Sequence, residues 1–455
     1  MSRRWHPGWH PGWPPRWHSQ DRAIWALALP ALGALVAEPL FLLADSAVVG
    51  TLGTVPLAGL AAAGALLSAA VGVFVFLAYA TTAAVARRTG AGDLPGALAQ
   101  GVDGAWLALG LGAATGAAGW VAAPQLVEAL GTPADVVPAA VTYLRWSLPG
   151  LPGMLLVLAA TGVLRGLRDT RTPLRAAVAG ALANAVLDVV LVLGLDAGLA
   201  GSAASTALVQ TAAGAWLAGV VVRGARRHGV RLRPSAAGVR RSATAGAPLV
   251  VRTLALRAAL LVTTAVAATQ GSAALAAHQV VSTLWGLLAL TLDAIAIAAQ
   301  ALTGTALGAG DVAGARAATS RSVRWGVVTG TAVGLALLAC APVLPALFSD
   351  DPRVRTAITA ALVVVAVAQS LAGWVFVLDG VLIGAGDARY LAATGVLVLL
   401  VYLPLAEAVR RWAPDGTAGL VLLWCAFAGG FMAARAVPLA LRARGTAWMV
   451  TGAVR

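Results

Sequence analysis

The chain has 455 residues, of which 60% are hydrophobic and only 11% charged, and its 32 basic side chains, all arginine, outnumber 18 acidic ones. Water-soluble domains carry about 25% charged and about 45–50% apolar residues, so a soluble globular protein is excluded, and the many glycines and prolines (52 and 22) suit membrane helices, whose neighbours satisfy freed backbone groups. The two cysteines, Cys340 and Cys425, lie inside apolar runs, which excludes a disulfide scaffold or a zinc module.

The first 21 residues (MSRRWHPGWHPGWPPRWHSQD) lack the apolar stretch of a signal peptide and read as a disordered tail, stiff with proline and sticky with tryptophan. His6, His10 and His18 could bind a metal adventitiously, or the tail could simply touch water and lipid headgroups. Apolar runs long enough to cross a ~30 Å hydrocarbon core follow near 23–44, 54–79, 97–123, 136–160, 174–195 and 199–222. After a basic gap they resume near 243–268, 275–299, 320–348, 355–379, 390–406 and 417–438. The fold class expected is therefore an all-α polytopic membrane protein of twelve transmembrane helices. With the termini and even-numbered loops on one side, that side holds 25 arginines and the other holds Arg353, Arg355, Arg410 and Arg411, which puts both termini in the cytoplasm.

The two halves repeat at a constant offset of 218. Pro30 matches Pro248, Gly53 matches Gly271, Gly90-Ala91-Gly92-Asp93 matches Gly308-Ala309-Gly310-Asp311, and Asp169 and Arg171 match Asp387 and Arg389. Six spans per half means that both halves start on the same side, so the two six-helix bundles are related by a pseudo-two-fold axis along the membrane normal, an arrangement of secondary transporters that bind cargo between repeats. The expected division is a tail at 1–21, a lobe at 22–222, a cytoplasmic linker at 223–241, a lobe at 242–444 and a cytoplasmic tail at 445–455. The seven linker arginines are read as topology and attraction to anionic headgroups rather than as an RNA patch.

Ionisable residues inside spans are costly and mark ion or substrate pathways. Glu38, Asp45, Asp188, Arg252, Arg257, Asp293 and Asp379 qualify, whereas Asp103, Glu128 and Glu407 lie nearer span ends and read as interfacial. Asn184 and Asp188, four apart, share a helix face. Glu38 precedes Asp45 by about two turns on the same side.

The segments PALGALVAEPLFLLADSAVVGTLGTVPLAGLAAAG, GVLRGLRDTRTPLRAAVAGALANAVLDVVLVLG and GLAGSAAST together resemble the multidrug and toxic compound extrusion (MATE) transporters, most closely their DinF-like branch, over roughly 22–444. The resemblance implies export of organic compounds, often cationic and amphipathic, by antiport against H⁺ or Na⁺, with the ion held in the N-terminal half. The family pattern there is an Asp fifteen residues after a Pro on the first helix, an Asn-x-x-x-Asp on the fifth and a Thr on the sixth. Pro30, Asp45, Asn184, Asp188 and Thr206 match it. Independently, two carboxylates with neutral oxygens from Asn184 and Thr206 make an all-oxygen niche that suits Na⁺, or a coupled pair that shares a proton. Pro30 removes a backbone hydrogen bond and gives the first helix a bend point.

Other readings stay open. Asp188 could merely pair with Asn184, and Asp45 could cap the following loop. Glu38 could face the cavity or pair with Arg257, while Asp293 and Asp379 are further cavity candidates. His278 has no partner visible in sequence, which favours packing over a proton relay. The second half lacks the Asn-x-x-x-Asp counterpart, since the offset lands on Tyr402 and Ala406, so one ion site is expected. The chain is thus read as a monomeric secondary antiporter of the bacterial inner membrane, with a lipid bilayer and a small organic substrate as partners, no nucleic acid and no bound cofactor. A flippase for lipid-linked or polysaccharide intermediates is the alternative, kept open by Arg252 and Arg257 on the seventh span, because an arginine in a cavity prefers anionic groups. An enzyme is not expected, since neither clustered metal ligands nor a nucleophile beside a base is present, and without a lysine there is no phosphate-binding GxxxxGK[ST] loop.

Overall fold

The computed structural model describes residues 19–455; residues 1–18 of the expected tail, with its three histidines, lie outside the described residues, and Ser19, Gln20 and Asp21, expected in the tail, belong instead to the first helix. Twelve helices are long and apolar enough to span a membrane. They are α1 (Ser19–Gly50), α2 (Thr54–Gly90), α3 (Leu94–Ala129), α4 (Val137–Gly166), α5 (Arg171–Gly194) and α6 (Gly198–Arg227), then α7 (Ala236–Thr269), α8 (Ser272–Gly308), α9 (Val312–Cys340), α10 (Pro352–Gly384), α11 (Ala388–Trp412) and α12 (Thr417–Arg444). No strand occurs among the described residues. Lipid explains this choice, because a helix satisfies its own backbone where no water is available.

Most helices run several residues beyond the expected apolar cores, and three boundaries differ for an identifiable reason. The apolar run after Cys340 does not continue α9, because Pro342 and Pro345 cannot donate backbone hydrogen bonds, and Leu344–Leu347 forms a separate 3₁₀ turn. The eleventh span, expected to end at 406, runs on to Trp412, where Glu407 bonds Arg410 and Arg411 within the last turns. The linker is shorter than expected, since α6 extends through Arg227 and α7 begins at Ala236.

The repeat is visible in the backbone. Gly92 and Gly310, one offset apart, both take left-handed φ (78° and 75°), and the next residue in each copy caps a helix: Asp93 accepts from the Gly96 amide at 2.9 Å and Asp311 from the Gly314 amide at 2.7 Å. The turn after α4 has the same relation to the turn after α10, except that Arg168 (φ 62°) stands where the second copy has Gly386 (φ 73°).

Both chain ends of the described structure lie on one side of the bundle, here called the terminal side. The lobes α1–α6 and α7–α12 are joined there. The buried Arg87 of α2 donates to the carbonyls of Ala385 (3.2 Å) and Val450 (2.8 Å), Gln300 of α8 donates to the Tyr79 carbonyl (2.8 Å), and Trp325 of α9 donates to Asp21 of α1 (2.9 Å). The segment after α12 folds into this seam, with Trp448 buried and the Gly452 amide donating to the Leu307 carbonyl at 3.0 Å. Toward the opposite side α2 leans instead on α4, where Gly59 lies against Ala139, and Gly64 faces open space.

Candidate functional site

Four helices of the first lobe bring the polar groups together. Asp45, near the end of α1, accepts hydrogen bonds from Asn184 Nδ2 of α5 (2.5 Å), Thr206 Oγ1 of α6 (3.2 Å) and the Tyr143 hydroxyl of α4 (3.4 Å). Asp188, one turn beyond Asn184, accepts the other N–H of the same amide (2.9 Å) and the hydroxyl of Ser205. The amide thus bridges the two carboxylates. Beyond Asp188 the helix widens into a π turn over Val189–Gly194, an irregularity often associated with functional sites.

Asp45, Asn184, Asp188 and Ser205 are essentially sealed, at 1% exposure or less. Neither carboxylate has a basic partner among the described residues. Uncompensated buried charge costs several kcal/mol, and no basic side chain among the described residues offsets it here. Ser205 and Tyr143 were not anticipated. Their signals were present: Ser205 adjoins Thr206 and lies one turn from Ser202, and Tyr143 is one of only four tyrosines.

A cavity of about 310 Å³ reaches the niche through Asp45, Tyr143 and Thr206, leaving Asn184, Asp188 and Ser205 behind them. Its wall is mostly first-lobe Ala, Leu and Val, with Glu38, Gln210, Tyr79 and Arg165 among the polar groups and Asp293 from the second lobe. Pro30 lies inside the continuous α1, as does Pro39.

One offset of 218 along the chain, the second lobe carries bulky side chains at the positions that form the niche and the cavity wall in the first. Asp45, Asn184, Asp188 and Thr206 correspond to Thr263, Tyr402, Ala406 and Trp424, and the hydroxyls of Thr263 and Tyr402 bond each other at 2.5 Å. The cavity-lining Leu67, Val209 and Ala213 correspond to Trp285, Phe427 and Phe431, which pack with Trp424 and Tyr402 at ring separations of 5.3–6.1 Å. Ala34, Thr161 and Leu217 correspond to Arg252, Asp379 and Arg435, where Asp379 accepts from Arg252 Nε at 3.1 Å and from Arg435 Nη2 at 3.2 Å.

The remaining sequence candidates separate accordingly. Glu38 and Asp293 line the cavity, and neither has an ion pair among the described residues. Asp379 is consumed by its two arginines and lies away from that cavity. Arg257 abuts Gly72 of α2, pairs with no carboxylate and does not line the cavity. His278 is buried in the second lobe, with Nε2 3.2 Å from Thr264 and 3.1 Å from Ser282 and its ring 5.6 Å from Trp424.

The family model MatE matches this chain twice, over residues 30–190 and 248–406, in the register of the repeat. The chain is 31% identical over 394 residues to Protein DETOXIFICATION 44, chloroplastic, of Arabidopsis thaliana, a match covering 82% of this chain and 74% of that protein. It is 28% identical over 398 residues to DNA damage-inducible protein F of Escherichia coli (strain K12), covering 85% and 86%. Among solved structures, MATE in the straight conformation superposes with a TM-score of 0.85 at 24% identity, covering 95% of this chain and 97% of that one.

Proposed function

The chain belongs to the MatE family of multidrug and toxin extrusion transporters, and from that premise we propose that it is an antiporter that expels amphipathic organic compounds, often cationic, in exchange for protons. It is a transporter and not an enzyme. The observation that carries the exchange reading is the sealed pair of carboxylates, bridged by the Asn184 amide, without a basic partner among the described residues and opening onto the apolar cavity only at Asp45.

The hydrogen bonds favour a proton over Na⁺. Asn184 turns its amide nitrogen toward both acids, and Ser205, Thr206 and Tyr143 also direct donors at them. In this arrangement the neutral side chains serve the two acids as donors, which supports a proton as the coupling ion; to hold Na⁺, Asn184 and Thr206 would turn their own oxygens toward an ion lying between carboxylates that already present theirs. With the arginine-rich terminal side in the cytoplasm of a bacterial inner membrane, the sealed seam faces the cytoplasm and the molecule is outward-facing, so a proton enters Asp45 from outside. Proton occupancy of the niche then alters the α1–α5–α6 hydrogen bonds, Pro30 supplies the bend point in α1, and cargo leaves the adjoining wall. Two lobes within one chain complete the cavity, which supports a monomer.

The flippase alternative favours a cavity rich in arginine; Arg252 and Arg257 lie outside it, and Arg165 is the single arginine among the described lining residues, which supports the exporter reading over it. Expression in a bacterial strain lacking its efflux pumps tests the reading. Resistance to cationic dyes should rise, collapse with a proton ionophore and survive removal of Na⁺. Loss of resistance on Na⁺ removal would transfer the coupling to that ion, and no gain in resistance would overturn the exporter reading.

A further inference from the structure

One charged group in the cavity has no role in the niche. Arg165, in the last turn of α4, is 9% exposed, lines the cavity and makes no hydrogen bond or ion pair with any described residue. A guanidinium carries five N–H donors in a planar fork suited to carboxylate, sulfonate or phosphate oxygens, and buried charges ordinarily have partners. Tyr79 and Thr161, also lining the cavity, are among its polar neighbours there.

The surrounding charge inventory does not supply the missing anion. Asp293 is the carboxylate facing this end of the cavity, and it stands within electrostatic range of three guanidinium groups, those of Arg165, Arg252 and Arg435. The latter two also converge on Asp379. These three arginines against two aspartates leave one positive charge uncompensated among the described residues, and Arg165 is the one of the three with no bonded carboxylate. Its repeat mate is Ile383, so the group has no counterpart in the filled second lobe. Glu38 cannot serve, because it lies on α1 toward the niche end. On α4 the niche contact Tyr143 and Arg165 are 22 residues apart, roughly 33 Å of helix.

We propose that Arg165 forms an anion subsite at the terminal end of the cavity, receiving a carboxylate, sulfonate or phosphate group of the transported compound while the apolar wall receives its body. The assignment rests on the cavity being the cargo site. It predicts that an amphipathic compound carrying an acidic group alongside its cationic dye core is bound more tightly than its ester.

Tetramethylrhodamine and its methyl ester share one ring system and differ at a single carboxylate. Binding of each to the purified full-length protein is read by fluorescence anisotropy, which needs no ion gradient and so is independent of the coupling mechanism. Wild type should bind the acid about tenfold more tightly than the ester. Arg165→Gln should lose that preference while binding the ester within about twofold of wild type, which also reports an intact fold. Arg165→Lys, which keeps the charge without the fork, should fall between them and serves if the glutamine variant does not fold. Asp293→Asn, removing the opposing carboxylate, should raise the acid-to-ester preference above wild type. An equal loss of both dyes in Arg165→Gln, or a preference unmoved in all three variants, would assign Arg165 to lobe packing and overturn the proposal. Failure of the antiporter reading shows separately, as ester transport indifferent to any ion gradient.

Discussion

Replacing Asp45 by Asn probes the niche with one atom exchanged and little change in volume. The two carboxylates of Asp45 and Asp188 are bridged by a single amide nitrogen at 2.5 and 2.9 Å, so their bonded oxygens lie no farther apart than about 5.4 Å. At an effective dielectric constant of about 20, two unit charges at that distance repel by about 3 kcal/mol. That repulsion is what an entering proton or cation relieves, and at 1.4 kcal/mol per power of ten it is worth about two powers of ten in ion affinity. Asp45→Asn and Asp188→Asn should therefore each lower ion-driven dye efflux from proteoliposomes by about 100-fold. Cargo binding, supported by the apolar wall, should change by less than about threefold. If either variant kept more than about a tenth of the ion-driven rate at equal reconstitution, the two acids would not be the coupling pair.

Further perturbations separate packing from coupling. Arg87→Ala removes two charge-assisted bonds across the seam, to Ala385 and Val450, each worth about 1.5–3 kcal/mol, and should shift the molecule toward the form open on the terminal side, measured as faster labelling of a cysteine replacing the buried, similarly sized Thr303 of α8. Gly153→Ala should lower the melting temperature in detergent, because a Cβ there would stand 2.6 Å from the Thr211 Cα on α6 and overpacking costs about 1–3 kcal/mol, whereas Gly64→Ala, with nothing within 4 Å, should not. Asp379→Leu leaves Arg252 and Arg435 buried without their shared partner and should destabilise by about 3–5 kcal/mol, seen as loss of folded protein in size-exclusion chromatography, while a double change of both arginines to Met with it should recover most of that loss.

The twelve spans and the two-lobe division were legible because lipid imposes a length and a hydropathy that local sequence displays directly. The niche was legible for a different reason: carboxylates and an amide are conspicuous in an Ala/Leu/Val background, and Asn184 and Asp188 already share a helix face. What remained hidden depends on contacts between distant segments. Asp379 looked like Asp293 in sequence, yet one is neutralised by arginines 127 residues earlier and 56 residues later, and the other faces the cavity. The end of α9 is hidden in the sequence because residues 341–348 are as apolar as a span, while Pro342 and Pro345 end the helix at Cys340. The solid second lobe was written in the repeat all along, since Tyr402, Trp424, Phe427 and Phe431 stand one offset from Asn184, Thr206, Val209 and Ala213, but only the packed rings show that they fill the equivalent space.

Lumenal pH in dye-loaded vesicles, followed without Na⁺ while the dye runs down its own gradient through the reconstituted protein, tests the exchange most directly. The account predicts a proton movement opposite to the dye that disappears in Asp45→Asn. A pH trace that stays flat until Na⁺ is supplied, or one that persists undiminished in Asp45→Asn, would contradict it.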